Sequence, residues 1–161
     1  MRARTLATSL LLFLPSVALA QVTQVSANPA DNPAARRLVV MPAANLKWED
    51  LGASGIKVAQ LWGNYTNGAF GALFKLPAGF VAPLHTHTYD MNVLILAGTY
   101  VQVPDGKPEF RLGPGSYFMQ PGGSYRHTTS CDPAADCIFL VESKGPFDLK
   151  PVAQAKAPAK Q

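Results

Sequence analysis

The chain contains three histidines, and two of them, His85 and His87, are separated by a single threonine. In an extended strand, side chains two residues apart point to the same face, about 6.6 Å apart along the chain, so both rings can reach one ion. His127 joins them if its strand lies alongside, which a small barrel allows because its interior side chains meet in one cavity. Three imidazoles bind a divalent ion and leave positions open for water or substrate. The spacing therefore predicts an open metal site; three ordinary core or surface histidines are the alternative.

The segments that must position these histidines are short apolar runs cut by Gly and Pro. They read IKVAQLWG, FGALFKLPAG, MNVLILAGTYVQV, FRLGPG, SYFMQPGG, YRHTTS and CIFLVES. Turn signals recur roughly every 8 to 14 residues, and no long stretch has helical periodicity. This pattern predicts an all-β fold, a small antiparallel β-barrel or sandwich, and disfavours an α/β arrangement.

The two ends of the chain differ in composition from this central part. Residues 1–20 have a basic start, an apolar stretch broken by a proline and a small-x-small ending, which is typical of a secretory signal peptide. Residues 21–45, rich in Ala, Asn and Pro, predict a flexible N-terminal arm, and residues 150–161 predict a mobile polar tail. We therefore expect a folded unit over 46–149 and a periplasmic or secreted protein.

The charge and the absent motifs narrow the possible partners. The formal net charge is +4, and two of the arginines lie in the predicted signal peptide, so no basic stripe indicates nucleic acid. After residue 20 no apolar segment is long enough to span a bilayer. Hydrolase, phosphate-loop and dinucleotide motifs are missing, which leaves a small-molecule ligand as the expected partner. The apolar runs alternate poorly, as in strands covered on both faces, which is compatible with a homodimer.

Cys131 and Cys137 are the two cysteines of the chain, and five residues separate them. In an oxidising compartment we expect them to form a disulfide. In the chain-entropy model, a ring this short stabilises a protein by roughly 2–3 kcal/mol. A two-thiolate metal site or a redox couple is the alternative, although the spacing matches no common zinc pattern.

The residues around the histidines resemble the two signatures of the cupin superfamily. The first signature, G-x5-H-x-H-x3-E-x6-G, is matched by Gly79, His85, His87 and Gly98. The second, G-x5-P-x-G-x2-H, is matched by Gly115, Pro121 and Gly123, with His127 one residue late. Phrases such as KLPAGFVAPLHTH and LGPGSYFMQPGG resemble exported single-domain cupins of uncharacterised function, grouped as a domain of unknown function.

The resemblance implies a jelly-roll β-barrel with a divalent metal ion held by the motif histidines and often by a glutamate. Met91 occupies the glutamate position here, and its thioether is a poor ligand for such an ion. Asp90 is adjacent, but strand parity turns it to the opposite face, so it is a possible fourth ligand only if a bulge rotates it inward. We therefore expect a three-histidine site for Fe, Zn, Mn or Ni.

Some cupin dioxygenases use three histidines, so the resemblance implies a dioxygenase-like oxidoreductase, or an isomerase. Without a carboxylate ligand the site is more positive, which favours a small acidic or enolisable substrate. Tyr89 shares the face of His87, and Tyr125 that of His127, which makes both phenols candidate catalytic donors or proton relays. Filling the core or the barrel mouth is the alternative role for each. A non-catalytic module that binds a metal and senses a ligand, or a dry barrel with remnant histidines, remains the alternative to an enzyme.

Overall fold

The computed structural model describes residues 38–153, and its strands all belong to one compact unit that begins at Val40. The predicted signal peptide, most of the predicted arm and the last eight residues of the predicted tail lie outside the described residues. A short 3-10 helix, Ala43–Asn45, precedes the strands. Their bounds are β1 Glu49–Asp50, β2 Lys57–Gly63, β3 Phe70–Leu76, β4 Val81–Thr86, β5 Met91–Ala97, β6 Tyr100–Pro104, β7 Phe110–Leu112, β8 Tyr117–Gln120, β9 His127–Cys131, β10 Cys137–Ser143 and β11 Lys150–Pro151.

The strands form two antiparallel sheets, with the orders β1-β2-β3-β10-β5-β8 and β11-β4-β9-β6-β7. The chain passes from one sheet to the other after β3, β4, β5, β7, β8, β9 and β10. In β10 every second residue is buried, which directs one set of side chains between the sheets. This arrangement confirms the prediction of an all-β antiparallel barrel. In the described part of the chain, no helix is long and apolar enough to cross a membrane.

The core is built from apolar side chains on the inner faces of both sheets. Its buried members are Val58, Phe70, Ala72, Phe74, Leu76, Met91, Val93, Ile95, Tyr100, Cys131, Cys137, Phe139 and Val141. Central strands such as β3 are buried along most of their length, which explains why their sequences do not alternate cleanly between apolar and polar residues.

Gly98 makes the tight passage from β5 in one sheet to β6 in the other. Its φ is 73°, in the left-handed region that favours glycine. A Cβ atom there would lie 2.4 Å from the Asp136 carbonyl oxygen and 2.9 Å from the Cys137 Cα. The glycine of the first signature is therefore needed where the β5–β6 turn packs against the backbone at the start of β10.

The C-terminal part of the described chain lies against the strand that carries His85. Lys150 pairs with Thr86, and Pro151 pairs with His85, so β11 extends the sheet by two residues into the segment predicted as tail. The Val152 N–H then donates to the Leu84 carbonyl oxygen at 2.8 Å. These contacts hold the preceding residues, 147–149, next to the histidines.

The Cys131–Cys137 disulfide joins the end of β9 to the start of β10 and so links the two sheets. Both cysteines are buried.

We expect the double variant Cys131→Ala/Cys137→Ala to lose about 2 kcal/mol of unfolding free energy, because its unfolded chain is no longer constrained. Urea unfolding with and without a thiol reductant measures this. The reductant should lower the stability of the wild-type protein by a similar amount and leave the variant unchanged; equal stabilities of wild type and variant would contradict the prediction.

Candidate metal centre

Two neighbouring strands bring the three histidines together. His85 lies in β4, and His87 is the first residue after the end of that strand. His127 is the first residue of β9, where it pairs opposite His85. The register of β4 against β9 is irregular between Ala82 and His85. Ala82, His85 and His87 all line the interior cavity, so the irregularity changes the strand parity and turns both histidines inward.

The three rings form one buried cluster. Their solvent exposure is 2% for His85, 6% for His87 and 1% for His127. The ring centroids are 4.2 Å apart for His85 and His127, 4.9 Å for His85 and His87, and 5.2 Å for His87 and His127. One ligand nitrogen from each ring lies within 4.8 Å of the others, so a single ion can lie among them.

Backbone carbonyls fix the orientation of the rings. Nδ1 of His85 donates to the Pro83 carbonyl at 2.7 Å, and Nδ1 of His87 donates to the Asp148 carbonyl at 2.5 Å. Because a carbonyl oxygen only accepts, Nδ1 of His85 and His87 carries the proton and Nε2 keeps its lone pair for a ligand. Protein metal sites orient their histidines in this way, so the donor set fits a divalent ion.

Burial keeps the three imidazoles neutral. Desolvation lowers the pKa of His85, and it lowers the pKa of His87 to about 4. It also lowers the pKa of His127 to about 3, with a further contribution from repulsion by His85 and His87 in their charged forms. At pH 7 all three rings are therefore free bases, the form that binds metal ions.

The structure does not bring a carboxylate into this cluster within residues 38–153. Met91, at the glutamate position of the signature, is buried and lines the cavity. Asp90 is exposed, and its Oδ1 accepts a hydrogen bond from the Gly122 N–H at 2.7 Å. This hydrogen bond holds the Asp90 carboxylate outside the cavity, away from the histidines. The prediction of Asp90 as a possible fourth ligand is therefore wrong, and the residue instead links two loops.

The two tyrosines predicted as catalytic groups do not line the interior cavity. Tyr89 is 42% exposed, and its ring lies directly over Gly145. Tyr125 packs its ring 5.7 Å from that of His127 but borders a surface groove with Arg126. The strand parity used for this prediction does not apply, because β4 ends at Thr86 and β9 begins at His127, so both tyrosines lie in loops. Both are therefore corrected to residues that pack outside the cavity.

A cavity of about 350 Å³ opens beside His85 and His87. Its polar lining residues, apart from the two histidines, are Tyr100, Gln120, Thr129 and Asp148. The other lining residues are apolar: Leu51, Ile56, Phe74, Leu76, Phe80, Ala82, Met91, Val93, Phe118, Phe139, Val141, Phe147 and Leu149. The volume equals that of roughly twelve water molecules, which suits a small molecule.

A chain of buried polar side chains runs from His127 across the barrel. Nε2 of Gln120 lies 3.4 Å from Nδ1 of His127, and Gln102 donates to Oε1 of Gln120 at 2.6 Å. The Tyr100 hydroxyl continues the chain, 3.4 Å from Gln102 and 3.1 Å from the Thr129 hydroxyl. Burial raises the pKa of Tyr100 to about 12, so this phenol is a hydrogen-bond donor at neutral pH.

Sequence reasoning missed Tyr100 and Gln102 as members of the site. Their spacing of two, in the strand that pairs with the strand of His127, was the available signal. It becomes informative only when the register places Gln102 opposite Thr129.

Gln120 tests how strongly this polar chain supports the site. We expect Gln120→Leu to lose about 1–3 kcal/mol of unfolding free energy, because Nε2 of Gln102 then lacks its acceptor inside the barrel. The double variant Gln102→Leu/Gln120→Leu should lose less than the sum of the two single variants, since it leaves neither amide unpaired. Urea unfolding of the wild type, the two single variants and the double variant measures the loss of stability in each variant and the deviation from additivity. Strict additivity would show that the two amides do not depend on each other.

Comparison with known proteins gives a family and an enzyme relative. The family model described as "Domain of unknown function (DUF4437)" matches residues 18–150. Dimethylsulfoniopropionate lyase DddQ from Ruegeria pomeroyi is 34% identical over 77 residues, which cover 48% of this chain and 37% of that protein. The chain therefore matches well under half the length of this curated relative. A crystal structure of the same lyase aligns with a TM-score of 0.52 and 26% identity, over 73% of this chain and 64% of that one.

Two more distant solved structures show the fold alone. The polyketide cyclase RemF from Streptomyces resistomycificus aligns with a TM-score of 0.61 and 19% identity, over 76% of this chain and 90% of that one. An RmlC-like cupin from Shewanella frigidimarina aligns with a TM-score of 0.54 and 20% identity, over 65% of this chain and 88% of that one. The barrel described above is thus the cupin jelly roll that the two signatures predict.

Proposed function

The chain belongs to the DUF4437 family of cupins, and from this premise we propose that it is a metal-dependent enzyme acting on a small molecule with a carboxylate or carbonyl group. The convergence of His85, His87 and His127 carries this proposal, because the first two of them also line an apolar cavity. Three neutral imidazoles do not offset the charge of a divalent ion, so an anionic oxygen of the substrate is favoured there. When bound, such an ion supplies Lewis-acid chemistry.

Neighbouring residues orient the histidines and shield them from solvent. Backbone carbonyls hold the His85 and His87 rings, and the buried Gln120 contacts Nδ1 of His127. Phe147 places its ring 5.6 Å from that of His87 and covers the histidines from the side of β11. A preorganised site that excludes water strengthens every electrostatic interaction made inside it.

We propose elimination, a lyase reaction, as the first candidate chemistry. The relative DddQ is named as a lyase, and its similarity extends over 77 residues of this chain. A divalent ion held by His85, His87 and His127 would acidify the C–H bond next to a substrate carboxylate. In an elimination that proton would pass to a base, and the group on the following carbon would leave with its bonding electrons. This replaces the dioxygenase or isomerase favoured by the sequence as the first choice, because no relative reported above is named for either activity.

A dioxygenase is the second candidate, because the donor set has three histidines and no carboxylate. The two chemistries differ in their need for oxygen.

We expect the protein, reloaded in turn with Fe(II), Mn(II), Ni(II) and Zn(II), to release a vinyl product from 3-substituted propanoates without consuming oxygen. Proton NMR detects the vinyl group, and an oxygen electrode follows uptake with phenols, diketones and thiols. His85→Ala is the matched control. Oxygen consumption would favour the dioxygenase, and metal binding without any turnover would favour a sensing module.

We also propose that the mature protein is exported to the periplasm or beyond. The pattern of residues 1–20 and the disulfide between Cys131 and Cys137 support this location, because disulfides persist in oxidising compartments. N-terminal sequencing of the protein recovered from a periplasmic fraction should begin at Gln21. Recovery of the uncleaved chain from the cytosol would contradict the proposal.

A further inference from the structure

The cavity beside the histidines is lined mostly by apolar side chains. His85 and His87 contribute its imidazoles, and most of the remaining wall is formed by aliphatic and phenyl side chains. A ligand that binds an ion at the histidines must therefore place its remote end against apolar surface.

A row of aromatic rings continues this apolar wall away from the histidines. Phe147 lies 5.6 Å from His87 and 4.9 Å from Phe74, measured between ring centroids. Phe74 stacks on Phe139 at 5.9 Å, and the edge of Tyr100 meets Phe139 at 5.0 Å. The rings contact one another, so the remote end of a ligand meets phenyl surface along much of the cavity.

The polar groups in the wall are already engaged with each other. The Tyr100 hydroxyl lies 3.1 Å from the Thr129 hydroxyl, and Gln120 accepts a hydrogen bond from Gln102. Over residues 38–153, no side-chain nitrogen or oxygen that is itself shielded from solvent lacks a hydrogen-bond partner. A second polar group on the ligand would therefore compete with these existing hydrogen bonds.

The carboxylate of Asp148 does not serve as a counter-ion inside the cavity. It accepts hydrogen bonds from the backbone N–H and the hydroxyl of Thr88, and Lys150 lies 3.4 Å away. Its side chain is about one-third exposed, toward the surface ion pair. No other acidic side chain lines the cavity.

We propose that the site takes a small monocarboxylate whose remote end is uncharged and apolar. This inference rests on the function proposed above, because the carboxylate is held by the ion at the three histidines. A ligand with a cationic remote end is disfavoured for two reasons. Its charge would lose its hydration without an anionic partner, and the ion would repel it. The phenyl faces offset this cost only in part, because phenylalanine is a weaker partner for cations than tryptophan.

The proposed preference for an uncharged remote end differs from the cationic substrate in the name of the lyase relative. Two ligands of the same shape, one cationic and one uncharged at that end, test this preference. Dimethylsulfoniopropionate carries a cationic dimethylsulfonio group, and 4-methylpentanoate carries an uncharged isopropyl group of the same shape. Calorimetric titration of the Zn(II)-loaded protein should give 4-methylpentanoate an affinity at least about tenfold higher. Equal or tighter binding of the sulfonium compound would overturn the inference and leave the proposed metal enzyme standing. Binding of neither compound would overturn the proposed function and this inference with it.

A partly exposed cavity residue provides a matched pair of variants. Ile56 lines the cavity without being fully buried, so it can accept a polar side chain. Ile56→Glu adds a counter-ion, and Ile56→Gln adds the same shape without the charge. We expect the ratio of sulfonium to isopropyl affinity to rise about tenfold in Ile56→Glu relative to Ile56→Gln, with circular dichroism verifying that both fold. An unchanged ratio would show that the missing counter-ion does not set the preference and would overturn the inference.

Discussion

Replacing His127 by alanine should weaken the binding of a divalent ion by at least about 100-fold. His127 is 1% exposed and faces His85 across the β4–β9 pair, so no other described side chain can take its place in the cluster. The remaining two imidazoles leave the ion bound mostly by water. Metal analysis after dialysis and competition against a chelator of known affinity measure the loss.

Asp90→Asn is the matched control for this experiment. Its carboxylate binds the Gly122 N–H outside the cavity, so its neutralisation should leave the metal affinity unchanged within about twofold. Circular dichroism of both variants verifies that the barrel has formed. If His127→Ala keeps its metal, or if Asp90→Asn loses it, the three-histidine site is wrong.

The sequence alone was sufficient to predict the barrel and the residues of the cluster. The His-Thr-His spacing predicts two rings on one face, and the structure keeps both rings on the cavity side although β4 ends at Thr86. His127 required the second cupin signature, because only the signature says that a strand forty residues later lies alongside. The sequence did not predict the irregularity in β4 that turns the His85 side chain inward, because this irregularity depends on how β4 pairs with β9.

The surroundings of the cluster were harder to predict, for a physical reason. Tyr89 and Tyr125 were assigned to the cavity by strand parity, but the strands end short of both residues. Gln102 reaches Gln120 only because β6 and β8 face each other from different sheets. Phe147 covers His87 because β11 pairs with β4, although the sequence from Lys150 onward has the composition of a tail. Contacts of this kind depend on register and sheet packing, which single-sequence patterns do not contain.

The metal-free protein should lose stability as the pH falls below about 6.5, well before its carboxylates titrate. Burial lowers the pKa of His87 to about 4 and that of His127 to about 3, whereas in the unfolded chain both lie near 6.5. Between these values the unfolded chain binds more protons than the folded protein. Acid therefore favours unfolding, by about 1.4 kcal/mol per pH unit for each such histidine. Above pH 6.5 His87 and His127 are unprotonated in both the folded protein and the unfolded chain, so protonation of these histidines no longer lowers the stability.

Urea unfolding of the metal-free protein at pH 7.5, 6.5, 5.5 and 4.5 measures this slope. The carboxyl groups of Asp132, Asp136 and Asp148 have pKa values below their usual range, so their contribution is lost only at a lower pH than the histidine contribution. His127→Leu removes one buried base, and its slope between pH 6.5 and 4.5 should be smaller by about one proton. An identical slope in the variant would show that His127 is not held as a neutral base. Such a ring would also be unable to donate its lone pair to a metal ion.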